Sequence, residues 1–246
     1  MKRLIKQVGA LVFRLMPAGL RRRVIQLGFE AAAAGSPATG LRQLLTLDDD
    51  LAGIINRLAL RYDNGVHAKH RLMKYHDFFV ERISRGERVL DVGCGYGAVA
   101  SAIAERAGAV VTGIDLDGEN VAIARQRYRH PALTFVTGLA PADVPAERFD
   151  VVIASNVIEH IEDRVGFMTA IQDRVSPSRW LVRVPMADRD WRVPLRRELG
   201  LCAFSDRTHF TEYTRASFEA EMRDAGFGVR LLQVNWGEIW AEVARA

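Results

Sequence analysis

Apolar residues recur at helical spacing from the start of the chain. Leu4, Ile5, Val8, Leu11, Val12, Leu15 and Met16 share one stripe, with Lys2, Arg3, Lys6 and Arg14 on the opposite side. Pro17 ends that pattern, and a second basic stretch, Leu20-Arg21-Arg22-Arg23-Val24, follows. The run Ala31 to Pro37 reads as a linker or helix end. Asp48-Asp49-Asp50 can cap a helix reaching about Leu60, and Asp63-Asn64-Gly65 is a turn. A further helix is predicted over about 68–84, with Leu72, Tyr75, Phe79 and Ile83 on one side. From Arg88 onward strands alternate with helices, the pattern of a mainly parallel α/β sheet. The predicted strands are 88–92, 110–115, 133–137, 149–155, 180–185, 227–234 and 237–243. Asn235-Trp236-Gly237 separates the last two, which are expected to pair antiparallel.

Composition narrows the classes. With 49% hydrophobic and 26% charged residues over 246 positions, the chain can bury a sizeable core and is neither disordered nor fibrous. No apolar run approaches the ~18 residues of a membrane span. Two cysteines, Cys94 and Cys202, make no disulfide framework or zinc spacing, so a reducing, cytoplasmic location is expected. The net charge of +4 is unevenly spread: seven cations against Glu30 give residues 1–30 a net +6, which leaves −2 for the rest. A nucleic-acid-binding body would carry cations across a face, so none is expected here. The basic N-terminal helix suits the interface of an anionic membrane, which would make the protein peripheral there. A helix packed on the domain and a removable transit peptide are the alternatives; a secretory signal is disfavoured because no small-residue cleavage site follows a long apolar core.

The chemistry concentrates in Val89-Leu90-Asp91-Val92-Gly93-Cys94-Gly95-Tyr96-Gly97-Ala98. An apolar strand ends there in a glycine-rich turn that opens a helix, where a ligand can approach free backbone N–H groups. The stretch also satisfies G-x-G-x-x-A, the dinucleotide fingerprint. Asp91 argues against a dinucleotide: a carboxylate at the strand end repels a pyrophosphate and attracts the ammonium of S-adenosylmethionine. The second strand ends in Asp115, 22 positions after Gly93, where a carboxylate can accept both ribose hydroxyls.

These residues resemble the class I S-adenosylmethionine-dependent methyltransferases, bacterial glycan and small-molecule O-methyltransferases among them. The resemblance covers roughly residues 68–243 and is carried by Asp-x-Gly-x-Gly-x-Gly, Asp115 and the segment Phe149 to Ile161. Ser217-Phe218-Glu219 and Ala225-Gly226-Phe227 resemble the helix and turn before the family's final two strands. It implies a doubly wound seven-stranded sheet of order 3-2-1-4-5-7-6, the last strand antiparallel. It divides the chain into a helical extension over 1–66 and a methyltransferase domain over 67–246. It further implies donor contacts from Asp91, Gly93, Cys94, Gly95, Gly97, Asp115, Leu116, Gly138 and Asn156. One departure stands out. The acid that often follows the third strand and holds the adenine amino group is absent from Thr137-Gly138-Leu139-Ala140, so backbone groups or Asp143 must serve.

In the same resemblance His160 faces the substrate entrance, where a neutral imidazole could accept a hydroxyl proton. The alternative is a histidine that only shapes the pocket wall. Ubiquinone-biosynthesis O-methyltransferases place Glu-x-x-Glu-His here and use it with magnesium. This chain has Asn156-x-x-Glu159-His160, one carboxylate short, so no metal is expected. A long connection over about 186–214 carries Trp191, Arg192, Arg196, Arg197, Asp206, Arg207, His209 and Tyr213 and reads as an acceptor-binding lid. Its Asp206 to Thr214 resembles a segment common in bacterial methyltransferases of glycan assembly, which makes His209 the second base candidate, against a purely loop-fixing role. Arg71 could meet the donor carboxylate and Tyr75 cover the sulfonium; a solvated helix face is the simpler account. The expected function is methylation of an oxygen on a small-molecule, sugar or lipid-linked acceptor. A polyprenyl-quinone O-methyltransferase and a non-catalytic S-adenosylmethionine-binding module are the rivals.

Overall fold

The structure, a computed structural model, describes residues 11–246. The stripe and cations predicted at positions 2–10 lie outside the described residues. The chain forms two compact units, one of residues 1–67 with 196–201 and one of residues 68–195 with 202–246.

The first unit is helical. Residues 11–15 are helical, and α1 (Ala18–Ala32) and α2 (Pro37–Tyr62) follow. The Asp48–Asp50 cap is corrected: α2 begins eleven residues earlier, at Ser36-Pro37. Ser36 Oγ accepts the Thr39 N–H at 3.3 Å, and Pro37 brings a preset helical φ to the first turn. Asp48 and Asp49 instead lie mid-helix, where Arg196 pairs with them. Asn64 and Gly65, both at positive φ, make the expected turn.

The second unit begins with α3 (Lys69–Met73) and α4 (Tyr75–Val80), which replace the single helix predicted over 68–84. Lys74, left-handed at φ 54°, breaks the helix between them. There follow β1 (Arg88–Val92), α5 (Ala98–Arg106), β2 (Val110–Asp115), α6 (Gly118–Arg127), β3 (Leu133–Thr137) and β4 (Val151–Ser155). A 3₁₀ turn over Ile158–His160 leads to α7 (Arg164–Val175), β5 (Arg179–Pro185), α8 (Arg192–Glu198), α9 (Arg215–Asp224), β6 (Phe227–Asn235) and β7 (Glu238–Arg245). The seven strands make one sheet of order β3-β2-β1-β4-β5-β7-β6, as the resemblance implied. β7 runs antiparallel to both β5 and β6.

Strand periodicity divides the core between the two faces. Leu90, Val152, Val182 and Trp180 pack with Met168, Ile171, Phe218 and Met222 of α7 and α9. Val89, Val151, Ile153 and Leu181 pack with Phe79, Ile103, Val121 and Ala124 of α4, α5 and α6. Trp180 keeps its indole N–H satisfied inside this core by donating to Gln172 Oε1 at 2.8 Å. Because β1 to β5 run parallel, their carboxyl ends open on one edge of the sheet, where such folds hold ligands.

Candidate active site at the carboxyl edge of the sheet

The glycine loop bends through three positive φ values: Gly93 at 66°, Gly95 at 53° and Gly97 at 81°. Two of these positions are closed by packing. A Cβ on Gly93 would meet Val157 Cγ2 at 2.6 Å, and one on Gly97 would meet Phe135 Cζ at 2.5 Å. A Cβ on Gly95 would meet nothing within 4 Å, so this backbone borders open space. Asp115 braces the loop: Oδ2 accepts the Gly95 N–H at 2.8 Å, and Oδ1 accepts the Asp117 N–H at 2.9 Å. Asp91 is buried, and its Oδ2 has no partner among the described residues. Burial raises its carboxyl to about 7, with Asp115 adding to the rise and the Ala100 backbone N–H opposing it. A buried carboxylate with one oxygen left unpartnered, at the strand end that leads into the open Gly95 backbone, fits an ammonium-bearing ligand.

The remaining donor residues divide by what they can still offer. Cys94 turns its side chain into the core and keeps its thiol protonated, since burial raises it well above the usual range; only its backbone faces the loop. The Gly138 N–H is committed to Asp115 O at 3.0 Å. Asp143 Oδ2 accepts the Leu139 N–H at 2.8 Å, so Asp143 closes its own loop. Leu116 and Leu139 are exposed and, with Gly93, Ile114, Asp115 and Val157, line a small cleft that suits a flat apolar ring.

Asn156 is left-handed at φ 57°, its N–H donating to Arg183 O at 2.8 Å, and its buried Oδ1 has no partner among the described residues. Glu159 is fully buried, with no hydrogen-bond partner for either oxygen among the described residues, and burial pushes its carboxyl up to about 7 against the pull of its own backbone N–H, His209 and Arg183. The turn over Ile158–His160 aims His160 toward Thr208, whose Oγ lies 2.9 Å from Nδ1. That hydroxyl donates its single proton to Asp206 Oδ1 at 2.7 Å, so it accepts from Nδ1–H, and Nε2 keeps its lone pair. Burial, then the neighbouring His209, lowers the His160 pKa. His209 places Nδ1 3.0 Å from Glu212 Oε1, an arrangement that likewise leaves Nε2 open. Although burial opposes it, the Glu212 carboxyl is held down at about 2 by hydrogen bonds from His209 and Ser205 and by Arg189. Ligating atoms of Glu159, His160 and His209 all lie within 4.8 Å of one another.

The segment over 186–214, expected as an acceptor-binding lid, is partly tied down. A parallel bridge between Met186 and Tyr213 closes its stem, α8 occupies part of it, and the Phe210 N–H donates to Glu159 O at 2.8 Å. This contact carries His209 to His160. Tyr75 is buried rather than solvated. Its ring lies against the Arg183 guanidinium, 3.8 Å from Cζ, and its hydroxyl is 2.6 Å from His70 Nδ1. Arg71 stands exposed on α3.

Sequence reasoning missed Arg183 and Glu238. Arg183 is buried on β5 and reaches Glu238 of β7 through two bonds of 2.6 and 2.5 Å, while Trp240 Nε1 donates to the same carboxylate at 2.9 Å. Arg183 had a signal, a charge flanked by apolar residues in β5; Glu238 had none, since it opens a strand that also carries Glu242 and Arg245. The Asp206–Thr208 and Glu212–Arg189 braces carried no spacing that pointed to them.

A family model described as a methyltransferase domain matches residues 65–232. The chain belongs to that methyltransferase family. Ubiquinone biosynthesis O-methyltransferase of Rhodopseudomonas palustris strain TIE-1 is 35% identical over 109 residues, which are 44% of this chain and 42% of that protein. The protein of the same name from Cereibacter sphaeroides strain ATCC 17025 is 36% identical over 101 residues, 40% of each chain. The matched region thus spans less than half the length of these relatives. Among solved structures, magnesium protoporphyrin IX methyltransferase from Synechocystis PCC 6803 superposes with a TM-score of 0.57 at 20% identity, covering 71% of this chain and 83% of that one. A TehB-like methyltransferase from Corynebacterium glutamicum gives 0.56 at 19% identity, covering 77% and 97%. At these identities the structures establish the fold that this methyltransferase-family chain adopts.

Proposed function

We propose that this chain moves a methyl group from S-adenosylmethionine to an oxygen of a small-molecule, sugar or lipid-linked acceptor. The observation that carries the reading is the buried Asp91 carboxylate, with one oxygen unpartnered among the described residues, at the strand end that leads into the open Gly95 backbone, with Asp115 one strand away. Asp91 would hold the donor's ammonium, Asp115 the ribose hydroxyls, and the backbone of Cys94 and Gly95 would approach its polar groups. S-adenosylmethionine, when bound, supplies a methyl group already activated by its sulfonium.

The chain's own residues then have two tasks, alignment and removal of the acceptor proton. His160 and His209 each commit Nδ1 to a neighbour, Thr208 for the one and Glu212 for the other, which leaves Nε2 as the nitrogen that would take the proton. His160 is the first base candidate because the family resemblance places its segment beside the transferred methyl, and burial, which lowers its pKa, favours the neutral ring a base needs. Tight Asp91-dependent binding of S-adenosylmethionine, followed by turnover of labelled donor with cell extract, separates an enzyme from a binding module. Absence of donor binding would overturn the reading. Mass spectrometry of glycans and lipids from cells with and without the gene would then identify the acceptor.

A polyprenyl-quinone acceptor is the second reading, favoured by the names of the curated relatives and by the cluster of Glu159, His160 and His209. In that case His209 supplies the ligand that Asn156 cannot, and a divalent cation would satisfy the buried Glu159 oxygens. Contact of residues 1–30 with an anionic membrane at its cytoplasmic face would suit either lipid-borne acceptor. No helix among the described residues is long and apolar enough to cross a membrane.

A further inference from the structure

We propose that α2 is a membrane-docking element whose exposed stripe lies in the interface of an anionic bilayer. Leu47, Leu51, Ile54, Ile55, Leu58 and Tyr62 are 38%, 48%, 46%, 54%, 53% and 79% exposed. At ~100° per residue they fall within one arc of about a third of the helix. The opposite face is fastened inside the same unit. Leu45 is buried there, Arg42 Nε donates to Leu199 O at 2.9 Å, and Arg196 pairs with Asp49 at 2.8 Å and Asp48 at 3.4 Å. Asp48 and Asp49 are drawn toward Arg196, Asp48 from one edge of the apolar arc; Arg57 and Arg61 stand exposed along its other edge, with Asp50 on that flank two turns earlier.

The stripe is not a scatter of single exposed side chains. Among the described residues, 16 of 25 exposed large hydrophobics lie between Leu11 and Tyr62, and α1 buries none of its residues. Apolar surface on that scale marks an interaction face. Charge selects the occupant. Residues 11–30 of the same unit hold four arginines against Glu30, and Arg14, Arg22 and Arg23 are exposed, so a second copy would bring like charge against like charge. An anionic bilayer offers apolar depth for the leucines and opposite charge for the arginines. At about 1.5 Å per residue the 26-residue helix would lie flat over nearly 40 Å of surface.

This inference extends the membrane part of the proposed function from residues 1–30 to residues 37–62 and does not rest on methyl transfer. The test is flotation of the full-length chain with vesicles of mixed phosphatidylserine and phosphatidylcholine, and separately with pure phosphatidylcholine. The wild type should float with the mixed vesicles at low salt. Ile55→Asp with Leu58→Asp should reduce the bound fraction by roughly tenfold or more, since both apolar contacts are lost and two like charges are added. Arg57→Glu with Arg61→Glu should weaken binding to mixed vesicles only and flatten its salt dependence. Circular dichroism and S-adenosylmethionine affinity without vesicles report whether each variant is folded, and the milder Leu51→Gln carries the test if the Asp pair is not. A wild type that ignores mixed vesicles, or folded Asp variants that float as it does, would overturn the proposal. So would a wild-type dimer in light scattering that the Asp pair converts to monomer, which would make the stripe an interface between copies. Failure of the methyl-transfer reading would appear separately, as wild-type protein that floats but binds no donor.

Discussion

His160 and His209 meet edge to face, ring centroids 4.5 Å apart at 77°, each held from behind by a different acid. Asp206 acts on His160 through the Thr208 hydroxyl, and Glu212 acts on His209 directly. In both rings Nδ1 is the anchored nitrogen, so Nε2 is left to act as the base. His160→Ala or His209→Ala should lower turnover by roughly 10²–10⁴ while donor affinity stays nearly unchanged, because base catalysis acts in the transition state. The double variant should lose less than the product of the two effects, since the rings are in contact.

The pH profile follows from burial. A base works when deprotonated, and burial with His209 alongside lowers the His160 pKa. The rising limb of the rate should therefore lie below the ordinary histidine value near ~6.5 and be flat at neutral pH. Thr208→Val should shift that limb and lower kcat more than it raises KM, because it frees the Nδ1 tautomer.

Asp91 couples donor binding to protons. In the free protein burial raises its carboxyl to about 7, whereas an ammonium ligand needs the ionised form. Donor affinity should fall as pH drops below about 7, and binding there should release protons, which calorimetry in buffers of different ionisation heat measures. Asp91→Asn should weaken binding by about 1.5–3 kcal/mol. The stability sign is opposite. A carboxyl whose folded pKa is raised favours the fold at low pH, and this contribution is lost as pH rises toward 7. Asp91→Asn should therefore melt higher than wild type at pH 8 in the absence of donor.

The glycine loop separates packing from ligand space. Gly97→Ala drives a methyl to 2.5 Å from Phe135 and should destabilise the fold by about 1–3 kcal/mol. Gly95→Ala meets no protein atom within 4 Å. It should fold with a cost of about 1–2 kcal/mol for its left-handed φ, yet lose donor affinity. Thermal melts and calorimetry on both variants check this.

Chelation distinguishes the two acceptor readings. If a histidine alone removes the proton, chelator should leave activity unchanged and Glu159→Gln should remain active, since the amide relieves a buried carboxyl. Activity lost to chelator, restored by magnesium and abolished in Glu159→Gln would establish the metal reading instead.

The strands at 88–92, 110–115 and 133–137 are legible in the sequence because they are short apolar runs bounded by turns. Local pattern suffices for such elements, whereas the order of the strands, which brings the ends of β1 and β2 with Asp91 and Asp115 side by side, came from the family resemblance. The start of α2 was misread because three aspartates resembled a cap, whereas Ser36-Pro37 supplies one and Arg196 claims Asp48 and Asp49. Lys74 in a left-handed conformation was equally invisible, since no glycine marks that break. Tertiary structure alone decided the chemistry of the acceptor side. It brought His209 to His160 through the Phe210 hydrogen bond to Glu159 O, and it set Arg183 against Glu238 across two antiparallel strands. Those contacts join residues far apart in the chain, and their strength comes from burial, which raises the cost of every unpaired charge; neither distance nor burial can be read from local periodicity.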